Sequence, residues 1–273
     1  PGAVQTVMLY INVCEVGLQS KFDYPEYTRE IELQIDDLYD LRQELELVLN
    51  HLPVHITRLH LRAIPHISTR EAYKVNIIPL LRFPHLIHLE LFDVDLVCDE
   101  YDITLSTITR LHLYYENVPI DRPWILDQVP QVQHLQIHSK LNVPWTLQGR
   151  RLDRLQILDV ISPNIIIFRD RCPSLVQLIL QDSDLKYSQW QHTPNLQYVY
   201  LINCTNIYAS DLRNTNVMGV FVLDEYHSDT PRQHTPVLDL PYVFHISYMA
   251  IPRCETQRHL DHTLVQLHVP RLI

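Results

Sequence analysis

The chain has 273 residues, of which 46% are hydrophobic, and a formal net charge of −10. This length and apolar content suffice for a substantial core, while the negative charge disfavours a general attraction to nucleic acid or to anionic membrane. No apolar stretch approaches the roughly 18 residues of a membrane-spanning helix, and the N-terminus lacks the charged segment and apolar run of a signal peptide.

Residues 1–55 contain two segments that alternate between apolar and polar side chains and one segment with helical spacing. The alternation over residues 7–13 and 31–35 predicts two strands, because successive side chains of a strand point to opposite faces. Between residues 37 and 52, apolar residues recur every three or four positions, which predicts a helix that ends near Pro53. We predict that residues 1–55 are an N-terminal cap or the degraded first repeats of the array that follows.

After residue 55, the six-residue pattern Leu-x-x-Leu-x-Leu, with aliphatic substitutions, recurs about ten times. The copies begin at Ile56, Leu86, Ile108, Val132, Leu152, Leu175, Leu196, Val217, approximately Val243, and Leu264. At a spacing of roughly 20 to 30 residues, such a short strand cannot bury its apolar side alone and must stack on copies of itself. The repeats therefore predict a single continuous solenoid domain over residues 56–273.

In four copies a proline stands two residues before the first aliphatic position: Pro84, Pro130, Pro173 and Pro194. Proline lacks an amide hydrogen and disfavours helix in the preceding residue, so we expect it to end a helix and release the chain into the strand. Among the connecting segments, residues 68–82 are predicted to hold about three helical turns and residues 121–128 one or two.

The repeats resemble those of the leucine-rich-repeat superfamily. The copies around Cys172 and around Asn203 and Cys204 further resemble the cysteine-containing class typical of F-box substrate receptors. The superfamily resemblance implies an α/β fold, a leucine-rich-repeat solenoid or horseshoe with a curved parallel β-sheet on its concave side and short helices on its convex side. The F-box resemblance implies the substrate-recognition part of a ubiquitin ligase, whose adaptor would bind a region N-terminal to residue 1.

The concave side is where the sequence carries most of its functional content. Because side chains alternate along a strand, positions four and six of each copy face the core, and positions three, five and seven face the concave side. The first half of these concave columns is basic and rich in imidazoles, whereas the second half is aromatic and aliphatic. The candidate partner-binding residues are Arg58, His60, His88, Arg110, His112, Tyr114, His134, Arg154, Ile179, Tyr198, Tyr200 and Phe221.

Two interpretations of these columns stay open. In the first, Arg58, Arg110 and Arg154 bind carboxylates or phosphates through forked hydrogen bonds while the aromatic half anchors an apolar side chain. That combination suits a protein partner with an acidic peptide or an acidic patch. In the second, the same side chains are ordinary exposed-strand residues, and carboxylates such as Glu90 and Asp159 neutralise them locally.

The 16 histidines raise the question of a metal site. We predict none, because zinc needs three or four ligands that converge on one point, whereas side chains on parallel columns diverge. A group of imidazoles would instead make binding sensitive to pH. No catalytic motif or glycine-rich phosphate loop is present, so we predict neither enzymatic activity nor a cofactor.

Five scattered cysteines without a Cys-x-x-Cys pair favour a reducing compartment, so we expect the protein in the cytoplasm or nucleus, without a membrane partner. The predicted function is that of a protein-binding module, which the F-box resemblance narrows to a ubiquitin-ligase substrate receptor. A scaffold or inhibitor protein outside any ligase is the alternative. Binding of RNA or DNA through the arginine and histidine columns is disfavoured by the net charge.

Overall fold

The computed structural model describes residues 8–12, 28–36, 42–64, 72–97, 103–116, 124–140, 145–146, 152–161, 165–166, 172–184, 193–205, 217–226 and 243–249. In chain order the elements are β1 (Met8–Asn12), β2 (Glu30–Asp36), α1 (Arg42–His51), β3 (Arg58–Ile64), β4 (Tyr73–Asn76), a 3-10 helix (Ile78–Arg82), β5 (His88–Phe92), β6 (Val94–Val97), β7 (Arg110–Tyr115), a second 3-10 helix (Trp124–Asp127), β8 (His134–Ser139), β9 (Trp145–Thr146), β10 (Ile157–Ile161), β11 (Ile165–Ile166), β12 (Gln177–Gln181), β13 (Tyr198–Ile202), β14 (Gly219–Tyr226) and β15 (Val243–Met249). None of the helices in these ranges is long and apolar enough to cross a membrane.

Eleven of these strands form one parallel sheet in the order β1-β2-β3-β5-β7-β8-β10-β12-β13-β14-β15. Parallel neighbours require each connection to return to the starting end of the sheet, which is the geometry of a solenoid. Four of the connections contain short strands that pair as two small sheets, β4 with β6 and β9 with β11. The predicted leucine-rich-repeat solenoid with a parallel sheet is therefore confirmed, with fewer helices in the described connections than expected.

A continuous apolar core runs along one face of the sheet. The fourth and sixth positions of the repeats supply two rows of side chains that are no more than 1% exposed: Leu59 and Leu61, Leu89 and Leu91, Leu111 and Leu113, Leu135 and Ile137, Leu158 and Val160, Leu178 and Leu180, Val199 and Leu201, and Val220 and Val222. Helix α1 adds Leu45, Val48 and Leu49, whose spacing puts them on one helical face, and Leu52 is buried directly after the helix. Each repeat thus completes the burial of its neighbours.

A tight turn precedes several strands of the main sheet. The Leu86 amide donates to the Phe83 carbonyl at 3.2 Å, and the Val132 amide donates to the Val129 carbonyl at 3.1 Å. Pro84 stands at the second residue of the first turn, where its fixed φ is favourable. The turn directly follows the 3-10 helix Ile78–Arg82, so the proline lies where the predicted helix end requires it.

Two copies of the repeat are shifted by three residues from the predicted register. Leu158 pairs with Leu135 and Leu178, so the first position of this copy is Leu155 and not Leu152. Leu152 instead opens the tight turn before the strand, because the Leu155 amide donates to its carbonyl at 3.2 Å. Val243 pairs with Val220, which is a fourth position and not a first. The copy predicted at Leu264 lies outside the described residues.

The helix predicted over residues 68–82 is present only as the 3-10 helix Ile78–Arg82 and is wrong for residues 73–76. Residues 73–76 form β4, in which Tyr73 and Val75 are buried and Lys74 is exposed. The period of two and the aromatic and β-branched side chains outweigh the helical spacing, and pairing with β6 completes the strand. Residues 68–71 lie outside the described ranges. The turns predicted over residues 121–128 are present as the 3-10 helix Trp124–Asp127.

The predicted strands and helix of the first 55 residues are confirmed as β1, β2 and α1. β1 pairs in parallel with β2, and β2 pairs with β3 from Glu30 opposite Arg58 to Asp36 opposite Ile64. These strands therefore extend the same sheet. The division of the chain into a cap or first repeats over residues 1–55 and a solenoid over 56–273 stays a prediction.

The residue after the strand adopts a left-handed conformation in three repeats. Asp93, Asp182 and Asn203 have φ of 50°, 53° and 51°, a region that Asp and Asn tolerate better than most residues. Asn203 leads into Cys204, which is buried and whose thiol donates to the Leu180 carbonyl at 3.2 Å. The short polar side chain and the small thiol thus let the chain leave the sheet while keeping the neighbouring backbone paired.

Asp95 gives the fold a stability that depends on pH. It lies on β6 opposite Lys74, its Oδ1 is buried without a hydrogen-bond partner in the described part of the chain, and burial raises its pKa to about 6 against the opposing effect of Lys74. Because the pKa of Asp95 is raised, folding favours its protonated carboxyl. The resulting contribution to stability is complete below the unfolded pKa of about 3.9 and is lost as pH rises through 6.

We therefore expect Asp95→Asn to stabilise the protein by on the order of 1 kcal/mol at pH 7.5, with the gain vanishing at pH 4. Urea unfolding at both pH values measures this. Glu46→Gln on α1 is the matched change from carboxyl to amide. An equal gain at both pH values, or the same pH dependence in Glu46→Gln, would contradict the assignment to Asp95.

Candidate functional site

The face of the main sheet opposite the core is called here the open face. Strand register lines up its side chains in three columns, each continued from one strand to the next. The third-position column reads Glu30, Arg58, His88, Arg110, His134, Ile157, Gln177, Tyr198 and Gly219. The fifth-position column reads Glu32, His60, Glu90, His112, Gln136, Asp159, Ile179, Tyr200 and Phe221. The seventh-position column reads Gln34, Arg62, Phe92, Tyr114, His138, Ile161, Gln181 and Ile202.

Eleven of the twelve predicted site residues stand in these columns, and Arg154 does not. Arg154 is exposed in the turn before β10, since the true first position of this copy is Leu155. Ile157 occupies the third position that was predicted for Arg154. The predicted row of Arg58, Arg110 and Arg154 is therefore corrected to Arg58 and Arg110, which lie two strands apart.

Five side chains from β2, β3, β5 and β7 form a connected group, here called the histidine–glutamate cluster: Glu30, His60, His88, Glu90 and His112. His60 bridges two carboxylates, with Nδ1 2.8 Å from Glu90 Oε2 and Nε2 3.0 Å from Glu30 Oε1. Glu90 Oε1 lies 3.0 Å from His88 Nε2 and 3.1 Å from His112 Nδ1. The Glu90 carboxylate thus accepts hydrogen bonds from three imidazoles at once.

The cluster is largely buried, with its side chains only 8 to 15% exposed. Burial alone would lower the pKa of His60, but its hydrogen bonds with Glu30 and Glu90 overcome this and raise the pKa to about 9. Burial alone would raise the pKa of Glu90. The hydrogen bonds from His112, His60 and His88 outweigh burial and hold the pKa of Glu90 far below its usual range. His60 is therefore an imidazolium held between two carboxylates at neutral pH.

Two histidines near this charged bridge are neutral, His88 inside the cluster and His134 beside it on β8. Burial lowers the pKa of His88, despite its hydrogen bond with Glu90. Burial also lowers the pKa of His134 to about 4, and the electrostatic effects of the neighbouring His112, Arg110 and His88 act in the same direction. These two rings remain uncharged at neutral pH, so the first half of the open face is less basic than the count of histidines predicted.

Glu30 is a member of the cluster that the sequence prediction missed. It accepts from His60 and lies 3.6 Å from the Arg58 guanidinium, and the hydrogen bond from His60 leads the effects that lower its pKa. The signal was present in the sequence, because the alternation over residues 31–35 puts the residue before Ile31 on the open face. Reading the columns one strand further towards the N-terminus finds it.

A row of stacked rings follows the seventh-position column. The Arg62 guanidinium lies 5.1 Å from the centre of the Phe92 ring, which stacks on Tyr114 at 4.1 Å with an angle of 3° between the planes. Tyr114 in turn meets the edge of His138 at 5.8 Å. Such stacks limit the freedom of each ring and give the open face a preformed aromatic surface.

The second half of the open face carries the predicted apolar group. Tyr200 and Phe221 stack at 4.9 Å with an angle of 13°, and Tyr198 and Ile179 stand beside them on β13 and β12. All four side chains are partly exposed. Burial raises the pKa of Tyr200, so its hydroxyl stays protonated and is available as a hydrogen-bond donor at neutral pH.

No protein-family model matches the sequence, and no curated protein matches it. Among solved structures, the chain is similar to internalin C2 from Listeria monocytogenes strain 4b F2365. That likeness covers 65% of this chain and 83% of the internalin chain, with 18% sequence identity and a TM-score of 0.34. The fold assignment rests on the chain's own sheet order and buried aliphatic rows, which fit a leucine-rich-repeat solenoid.

Proposed function

We propose that the protein is a protein-binding repeat module that recognises its partner through the open face. The observation that carries this proposal is the Tyr200–Phe221 stack, which is partly exposed and held on adjacent strands of the main sheet. Rings of this kind are favoured anchors in protein interfaces, and a rigid sheet loses little conformational freedom on binding. The Tyr200 and Phe221 rings would pack against an apolar side chain of the partner.

The chemistry of the partner follows from the charges beside the aromatic surface. Arg58 and Arg110 are exposed in the third-position column, and forked guanidinium groups suit carboxylates. Glu30 and Glu90 balance part of this positive charge inside the cluster. We propose a partner segment with an acidic end over the first half of the face and an apolar end over the second.

A narrower form of the proposal is that the partner is a ubiquitin-ligase substrate and that the chain belongs to an F-box receptor. Its support is the buried Cys204 at the ninth position of its repeat, where the cysteine-containing class places it. A scaffold or inhibitor would use the same surface. Capture of the ligase adaptor by the full-length protein supports the receptor role, and failure to capture it leaves the scaffold or inhibitor.

The binding surface is tested by Tyr200→Ala. Removing the ring deletes half of the stack, so we expect the affinity for a partner captured by the wild type to fall roughly 30-fold. Leu81→Ala is the control, since Leu81 is 47% exposed on a 3-10 helix outside the main sheet. Titration by surface plasmon resonance measures both variants. Unchanged affinity for Tyr200→Ala, or an equal loss for Leu81→Ala, would place the interface elsewhere.

A further inference from the structure

Three atoms at the centre of the histidine–glutamate cluster form a small triangle. His88 Nε2 lies 3.0 Å from Glu90 Oε1, His112 Nδ1 lies 3.1 Å from the same oxygen, and the two nitrogens lie 3.4 Å apart. His88 and Glu90 are two residues apart on β5, and His112 is the neighbour of Glu90 on β7. The three side chains therefore converge from two adjacent strands.

This triangle has the dimensions of a metal coordination site. Ligand atoms held about 2.1 Å from a tetrahedral cation lie about 3.4 Å from one another, and about 3.0 Å apart around an octahedral cation. Two imidazoles and one carboxylate are a donor set that suits divalent transition metals. We propose that His88, Glu90 and His112 form a binding site for a divalent transition-metal ion, with Zn²⁺ as its representative.

A second set of contacts orients the carboxylate. While Glu90 Oε1 faces the two imidazoles, Oε2 accepts a hydrogen bond from His60 Nδ1 at 2.8 Å, and His60 Nε2 donates to Glu30 at 3.0 Å. Metal-binding carboxylates are generally held by such outer hydrogen bonds. The hydrogen bonds from Glu30 through His60 to Glu90 hold Glu90 Oε2 away from the triangle and leave Oε1 for the cation.

In the absence of a cation, the inner nitrogens of the two rings, His88 Nε2 and His112 Nδ1, donate to Glu90 Oε1, so a bound metal ion replaces these two hydrogen bonds. The nitrogens that face away from Glu90, His88 Nδ1 and His112 Nε2, are buried and have no hydrogen-bond partner within the described part of the chain. No group in the described part of the chain competes for these two outer nitrogens. Each ring can therefore carry its proton on the outer nitrogen when the inner nitrogen binds metal.

The site differs from the expectation that side chains on parallel columns diverge. That expectation concerned histidines on parallel columns, whereas the triangle combines two positions of β5, one of them the carboxylate Glu90, with one position of β7. Three protein ligands leave at least one position on the cation for water or for a carboxylate of a partner. The proposal does not depend on the proposed function, because its ligands lie on β5 and β7, away from Tyr200 on β13 and Phe221 on β14.

Metal binding is tested on the full chain after removal of divalent ions with a chelator. Isothermal titration with ZnCl₂ is expected to show one equivalent bound by the wild type, at an affinity that His112→Ala and Glu90→Gln each reduce about 100-fold or more. His134→Ala is the matched control, because this ring lies 5.4 Å from His112 but is outside the triangle. We expect it to bind Zn²⁺ as the wild type does.

Two further measurements keep the test decisive. Circular dichroism establishes that each variant is folded, and if Glu90→Gln is not, His112→Ala alone carries the comparison. His60→Gln is expected to keep one equivalent of Zn²⁺ but to weaken its binding about 10-fold, as loss of an outer hydrogen bond does. Absence of binding to the wild type, or unchanged binding by His112→Ala, would overturn the proposal, as would loss of binding in His134→Ala alone.

Discussion

His60→Ala is expected to lower the free energy of unfolding by about 3 kcal/mol or more at pH 7 in the presence of a chelator. His60 is an imidazolium that bridges Glu30 and Glu90, and its side chain is only 10% exposed. Removing it leaves two nearby carboxylates partly buried without the charge that links them. Breaking a buried ion pair from one side is costly, because the partner stays desolvated and loses its compensation.

The matched control is His134→Ala, which removes the same side chain from the same face. Because His134 is neutral and bridges no carboxylates, we expect its loss to cost about 1 kcal/mol or less. Urea unfolding followed by far-ultraviolet circular dichroism compares the two. Equal effects of the two substitutions would mean that His60 acts by packing and not by charge.

The fold was predictable because the repeat pattern reports a physical requirement. Aliphatic residues at the fourth and sixth positions bury nothing unless neighbouring strands stack in register, so about ten copies predict the parallel sheet. The predicted register was wrong where two overlapping segments of the sequence both match the repeat pattern. Leu152-x-x-Leu155-x-Ile157 and Leu155-x-x-Leu158-x-Val160 both match, and the structure adopts the second because it aligns Leu158 with Leu135 and Leu178.

The candidate site was predictable as columns but not as contacts. Alternation along each strand places His60, His88 and His112 on one face, and this much is confirmed. Which imidazole meets which carboxylate depends on side-chain rotamers and on the diagonal between positions of adjacent strands. The convergence of His88 and His112 on Glu90 therefore emerges only in three dimensions, and it makes the predicted basic surface nearly neutral there.

Leu135→Ala is expected to lower the free energy of unfolding by about 3 kcal/mol, within the usual range of about 2 to 5 kcal/mol for a buried leucine. Leu135 is fully buried on β8, the sixth of eleven strands, and its loss leaves a cavity between β7 and β10. In a solenoid each repeat is stabilised mainly by its neighbours, so damage at the centre weakens the coupling of both halves.

Leu81→Ala removes the same atoms from a side chain that is 47% exposed, so its cost is expected to stay near 1 kcal/mol or below. Urea unfolding of the two variants beside the wild type gives the comparison. For Leu135→Ala we further expect a broader transition than for the wild type, because the repeats before and after β8 then unfold less cooperatively. A sharp transition with equal losses in both variants would contradict a core built from interlocking rows, since only such a core makes one central leucine matter to every repeat.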